Sequence, residues 1–177
     1  VNANVDQVVC ANNSNVQLSG TVSGGASTGI WSTPNGSGSF TPSTNDLNAT
    51  YIPSDADTAA GNVTIVLTST GSASCNAVTD TMQISITPAP FVDAGPATLD
   101  VCENNPNFSL SGTVYGATST GKWTTSGNGL FSPDNLSLNC TYQPSPLDVN
   151  SGSITIYLES TNNGSCTKAM DSIIVTF

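Results

Sequence analysis

Leu18-Ser19-Gly20-Thr21-Val22 recurs 92 residues on as Leu110-Ser111-Gly112-Thr113-Val114. The same offset carries Val9-Cys10 to Val101-Cys102 and Gly29-Ile30-Trp31 to Gly121-Lys122-Trp123. Beyond the tryptophans it drops to 91. Phe40-Thr41-Pro42 becomes Phe131-Ser132-Pro133, Thr50-Tyr51 becomes Thr141-Tyr142, and Cys75 becomes Cys166. The second copy therefore lacks one residue, within Ser126-Gly127-Asn128-Gly129. A fixed internal period marks a repeated structural unit, and the 177 residues divide as 1–88 and 89–177. The junction is Thr87-Pro88-Ala89-Pro90. Its two prolines predict a short, stiff, extended link that holds neighbours in a rod.

Around the quoted stretch, Val16, Leu18, Gly20 and Val22 alternate with polar residues. So do Leu47, Ala49 and Tyr51, then Val63, Ile65 and Leu67, then Met82, Ile84 and Ile86. A period of two is the pattern of a half-buried strand. Turn formers separate the runs: Ser23-Gly24-Gly25, Pro34-Asn35-Gly36-Ser37-Gly38 and Ala60-Gly61-Asn62. No window carries an apolar period of 3.6. The sequence therefore reads as all-β, two tandem immunoglobulin-like β-sandwich repeats of about seven strands each.

Composition narrows the function. Lys and Arg together number 2 against 12 acidic residues, with no His, and the net charge is −10. Nucleic-acid binding needs many cations to neutralise phosphates, so no nucleic acid is expected as a partner. The same shortage argues against docking on anionic membrane, and no run of 18 apolar residues is present to insert into one. Without His the commonest general base is missing, and no G-x-S-x-G stretch occurs, so no catalytic residue and no enzyme activity are expected. The 37% of hydrophobic residues, set in alternating runs, argue against disorder. Val1-Asn2-Ala3-Asn4 has neither a basic nor an apolar leader region, which places any secretion signal upstream.

Trp31 and Trp123 read as core anchors in preference to sugar-stacking platforms. The position before each holds Ile30 in one copy and Lys122 in the other. A position that accepts Lys faces water, so its strand neighbour faces inward. Cys10, Cys75, Cys102 and Cys166 have equivalents in the other copy. Four cysteines allow three connectivities, and repeat symmetry favours disulfides Cys10–Cys75 and Cys102–Cys166. Loops of that size imply roughly 4 kcal/mol of stabilisation each and an oxidising compartment. A metal site is the rival, and it lacks both C-x-x-C and His. Cys140 has no such equivalent, its counterpart being Ala49, and reads as a buried free thiol acting as a small hydrophobe. An intermolecular bridge or a redox switch is the alternative.

No cofactor is expected, with structural calcium as the alternative. Its candidates are Asp55, Asp57, Asp93 and Asp148, but no loop matches a dense ligand pattern, and these are read as solvated loop carboxylates. Lys122 and Lys168 both lie in the second copy, so a repeat-wide isopeptide cross-link is excluded.

Val9-Cys10, Leu18 to Val22, Gly29-Ile30-Trp31, Ala49-Thr50-Tyr51, Leu67 to Gly71, Cys75-Asn76 and Asp80-Thr81-Met82, with their second copies, resemble the tandem repeats of large Bacteroidetes cell-surface adhesins of the gliding-motility type. The resemblance covers the whole chain. It implies an extracellular, exported filament secreted by the type IX system, whose partners are neighbouring repeats of the same chain and a polysaccharide or solid surface. It also implies O-glycosylation where Asp-Ser/Thr precedes a small or apolar residue, at Thr81, Ser172 and Thr58. The alternative reading is a carbohydrate-binding or accessory β-sandwich module of a secreted multidomain enzyme.

Overall fold

The alternating runs become strands in which every second side chain is buried. The computed structural model describes residues 1–71 and 75–177, which form two units, Val1–Pro88 and Ala89–Phe177. The first unit contains β1 (Gln7–Cys10), β2 (Val16–Gln17), β3 (Thr28–Ser32), β4 (Ser39–Thr41), β5 (Thr50–Ile52), helix α1 (Asp55–Ala60), β6 (Asn62–Thr70) and β7 (Thr79–Thr87). One sheet has the order β1-β7-β6-β3 and the other β2-β5-β4. Val63, Ile65 and Leu67 on β6, with Met82, Ile84 and Ile86 on β7, are buried against Val16, Leu18, Ala49 and Tyr51. Burial of side chains from both inner faces is what holds two sheets together.

The second unit repeats the plan with β8 (Phe91–Asp93), β9 (Thr98–Asp100), β10 (Phe108–Ser111), β11 (Thr113–Tyr115), β12 (Thr120–Thr125), β13 (Leu130–Ser132), β14 (Asn139–Gln143), helix α2 (Pro146–Asn150), β15 (Ser153–Thr161) and β16 (Met170–Thr176). Its sheets are β12-β15-β16-β9 and β10-β14-β13, with a small β11-β8 ribbon. The ribbon's counterpart in the first unit is a single bridge, Asn2 to Thr21. Both units are immunoglobulin-like β-sandwiches.

The tryptophans sit on β3 and β12, with relative exposures of 1% and 0%. Trp31 Nε1 donates to the Asp46 carbonyl at 3.0 Å, and Trp123 Nε1 to that of Leu138 at 3.3 Å. Each ring needs the glycine of the quoted motif. A Cβ on Gly20 would lie 2.6 Å from Trp31 Cζ2 and 2.7 Å from Leu67 Cδ2. One on Gly112 would meet Leu158 Cδ2 at 2.4 Å and Trp123 Cζ2 at 2.7 Å. Antibody domains place a disulfide against this tryptophan; here glycine and leucine fill the space.

One pairing sets the polarity of each unit. β7 is antiparallel to β6, but β1 lies parallel to β7, with Gln7 opposite Ile84 and Cys10 opposite Thr87. In the second unit β9 is likewise parallel to β16, with Asp100 opposite Thr176. β1 and β9 thus end where the last strand of their own sandwich ends.

The absence of a 3.6-residue period hid two helices, each little more than one turn. α1 begins at Ser54, whose hydroxyl accepts the Asp57 N–H while the Asp57 carboxylate accepts the Ser54 N–H. α2 uses Ser145 and Asp148 in the same reciprocal box. Gly61 closes α1 at φ 76°, a left-handed conformation that glycine adopts without strain.

Candidate functional site

The most elaborate polar constellation in each unit is a buried Tyr–Asp pair at the start of the short helix. Asp57 is 3% exposed and Asp148 2%. Asp57 Oδ2 accepts the Tyr51 hydroxyl at 2.7 Å and the Ser54 N–H at 3.0 Å, while Oδ1 accepts the Ser37 N–H at 2.8 Å. The Tyr51 oxygen in turn accepts the Gly38 N–H at 3.1 Å. The second unit repeats every bond. Asp148 accepts from Tyr142 at 2.9 Å, Ser145 N at 3.0 Å and Asn128 N at 2.7 Å, and Tyr142 accepts from Gly129 N at 2.9 Å.

Burial opposes ionisation of Asp57, but its hydrogen bonds from the Ser54 backbone, the Tyr51 hydroxyl and the Ser37 backbone override it and hold the carboxyl at about 2. Tyr51 is pushed up to about 12 by burial and by the bond to Asp57. Asp148 and Tyr142 shift in the same directions for the same reasons. A fixed carboxylate with its donors committed to the fold ties the helix, the β5 tyrosine and the β3–β4 loop together. It leaves nothing free to transfer a proton near neutral pH.

These geometries correct the reading of Asp57 and Asp148 as solvated carboxylates, because both are enclosed and hydrogen-bonded. The signal was present in the sequence, as Ser54-x-x-Asp57 and Ser145-x-x-Asp148 are capping boxes. Of the other acidic candidates, Asp55 is exposed in the first turn of α1, and exposed Asp93 accepts the Gly95 N–H at 2.8 Å. Among the described residues no group of three or more His, Cys, Asp or Glu is placed to hold a metal ion.

The cysteines require a second correction. Cys75 and Cys102 are free and exposed, and Cys10 and Cys166 are disulfide-bonded. The within-copy pairs Cys10–Cys75 and Cys102–Cys166 are therefore not formed. The parallel terminal strands give the reason. Cys10 lies beside Thr87, at the last residue of β7, whereas Cys75 precedes Thr79, at the first. A nine-residue strand spans about 26 Å at ~3.3 Å per residue, while a disulfide needs Cα atoms within about 7 Å. In the second unit the Val101 N–H bonds to the Thr176 carbonyl at 2.9 Å, placing Cys102 at the end of β16. Cys166 precedes Met170 at its start. Each unit thus carries one cysteine at either pole. Cys140, on β14, is a free thiol 6% exposed, and burial with the nearby Asp134 carboxylate raises its pKa.

Two further aspartates tie down the leading segments. Asp80 Oδ2 accepts the Ala3 N–H, and Asp171 Oδ2 the Ala94 N–H, both at 2.8 Å. The backbone donors Ala3 and Thr81 lower the pKa of Asp80. These are the aspartates of two motifs implied to be glycosylated. Thr81 is exposed on β7, Ser172 half-buried on β16, and Thr58 half-buried in α1, where its hydroxyl donates to the Asp55 carbonyl at 2.8 Å. Sequence reasoning had no role for Phe91 and Tyr115. They face each other across β8 and β11 as a stacked pair, centroids 4.7 Å apart, 49% and 55% exposed.

No family model matches the chain, and no curated protein does. Solved structures do. The insect immune protein hemolin, whose structure was described for its domain arrangement and homophilic adhesion, aligns over 98% of this chain and 45% of its own at 9% identity, TM-score 0.54. The titin domains I67–I69 align over 98% of this chain and 63% of theirs at 12% identity, TM-score 0.52. The chain thus spans about half to two-thirds of the length of these structures. At such identities the likeness shows the fold.

Proposed function

We propose that the chain is a structural and adhesive repeat module of an exported cell-surface filament, each unit passing tension from its leading to its trailing end. The parallel clasp in each sandwich supports this reading most. The polypeptide is held at Ala3 by Asp80, near the start of β7, and leaves after Thr87, at its end. A pull on both termini slides β1 and β7 past each other along their length. Their bonds then share the force together, where an antiparallel hairpin would unzip one bond at a time. Ala94, Asp171, β9 and β16 repeat the device. Single-molecule stretching under reducing conditions tests it. Two abrupt unfolding events are expected, each releasing up to about 300 Å of contour at ~3.4 Å per residue. Gradual extension at low force would refute the clasp.

The repeat motifs carry the reading further, to a surface adhesin of the gliding type secreted by the type IX system. Immunolabelling of intact source cells tests the location. Signal at the outer surface is expected, and signal only after the cells are opened would refute it.

The Phe91–Tyr115 pair favours direct contact with polysaccharide as an accompanying role. Exposed aromatic rings stack on the apolar faces of sugars, and both rings are exposed on one small ribbon. Polysaccharide pull-down should fall at least tenfold in the Phe91→Ala/Tyr115→Ala variant. Unchanged retention would remove this role and leave the tension-bearing one standing.

A further inference from the structure

The two units put their equivalent cysteines in different states. Cys10 and Cys102 occupy the same place, at the trailing pole beside the end of the last strand. Cys75 and Cys166 share the other place, at the leading pole before the last strand. One of each type is disulfide-bonded, Cys10 and Cys166; the other of each type, Cys102 and Cys75, is free and exposed. The bonded state of their equivalents shows that both positions accept a disulfide in this fold. The span of the last strand prevents either free thiol from reaching the cysteine at the other pole of its own unit. A partner for each must come from outside that unit.

We propose that Cys102 and Cys75 are the complementary halves of an intermolecular disulfide, Cys102 of one copy of the chain bonding to Cys75 of the next. Within one chain Cys75 and Cys102 are both free and not bonded to each other, so the partner is a second copy, which offers a cysteine of the other type at an exposed pole. At a net charge of −10 the copies repel one another, and a disulfide holds them together against that repulsion. The oxidant is a small-molecule disulfide such as glutathione disulfide. One protein thiolate attacks it and displaces a glutathione thiolate. The second protein thiolate then attacks the mixed disulfide, forms the Cys102–Cys75 bond and releases the other glutathione. Two protons leave the protein thiols, and two electrons pass to glutathione disulfide.

The inference rests on the serial reading above, and the two fail separately. Stretching tests each unit's resistance, whereas the following experiment reads only linkage. The full chain carrying Cys140→Ala, the residue its counterpart Ala49 already supplies, is oxidised with glutathione disulfide and run without reductant. A ladder of dimers, trimers and higher species is expected, with a Cys102–Cys75 cross-linked peptide in the digest. Cys75→Ser alone and Cys102→Ser alone should stay monomeric, and an equimolar mixture of the two should stop at the dimer. Both residues are exposed, so neither change threatens folding. Dimers from either single variant would show like-to-like pairing and overturn the proposal. So would closure of Cys75 on Cys102 within one chain, or glutathione adducts with no ladder.

Discussion

Replacing Asp57 with alanine should unfold the first unit easily, by an amount that depends on pH. The carboxylate accepts two backbone N–H groups and the buried Tyr51 hydroxyl. Water can reach the donors of half-buried Ser54 and exposed Ser37 once the side chain is gone, so they lose little. Tyr51 lies at 0% exposure, and although its oxygen still accepts the Gly38 N–H, its O–H loses its acceptor, which costs about 1–3 kcal/mol. Loss of the capping box adds about 1 kcal/mol. The total is about 3 kcal/mol, a large share for a unit this size, since domains hold ~0.05–0.15 kcal/mol per residue.

Part of that total is electrostatic. Asp57 is held at about 2, below its ordinary value of 3.8. A carboxyl depressed in the folded state stabilises fully above its unfolded pKa, and this contribution fades as pH falls through the folded one. The gap between the parent and Asp57→Ala should therefore be widest at neutral pH and narrow by about 2 kcal/mol between pH ~4 and ~2. Trp31 and Trp123 give one fluorophore per unit. Urea unfolding of the full chain in a Trp123→Phe background thus reports the first unit. A loss below about 0.5 kcal/mol at neutral pH, or a gap that does not change down to pH 2, would refute the role given to Asp57.

Gly20→Ala and Gly112→Ala should each destabilise their own unit by about 1–3 kcal/mol through overpacking against tryptophan, measured by the same fluorescence. Cys75→Ser and Cys102→Ser should shift unfolding by less than about 0.5 kcal/mol, whereas a staple inside each unit would have cost roughly 4 kcal/mol. Cys140 should stay silent to a thiol reagent that modifies Cys75 and Cys102 within minutes, and react only on unfolding. Asp80→Ala should raise hydrogen exchange at the Ala3 amide and leave Ala94 protected, with Asp171→Ala doing the reverse.

The sandwich was legible because Val63, Ile65, Leu67, Met82, Ile84 and Ile86 sit on strands whose period of two cannot be mistaken. The motif at Gly20 was equally visible, but its reason was not, since the clash is with Trp31 and Leu67, distant in sequence. Asp57 was misjudged on similar grounds. Ser37 and Tyr51 reach it from two other segments, and only the Ser54 half of the arrangement is local. The cysteine pairing failed on a matter of direction. Repeat symmetry correctly matched Cys10 with Cys102 and Cys75 with Cys166. It cannot tell whether the first strand runs with the last or against it, and that alone decides whether Cys10 and Cys75 share a pole.

The same parallel pairing connects the clasp to the thiols. Because β1 runs with β7, force on the termini loads the strands in shear, and for the same reason the cysteines fall at opposite poles. An antiparallel first strand would have put both cysteines at one pole, within reach of each other, and would have left the terminal pair to peel apart. A bond across the sandwich would protect a unit that the core tryptophan and the Tyr–Asp pair already fix. The free thiols Cys75 and Cys102, at opposite poles of their units, are instead placed to join one copy to the next. Reversing the strand's polarity by design would thus remove both properties together. Shifting Cys75 to the trailing pole beside Cys10 would remove the linkage and leave the clasp intact.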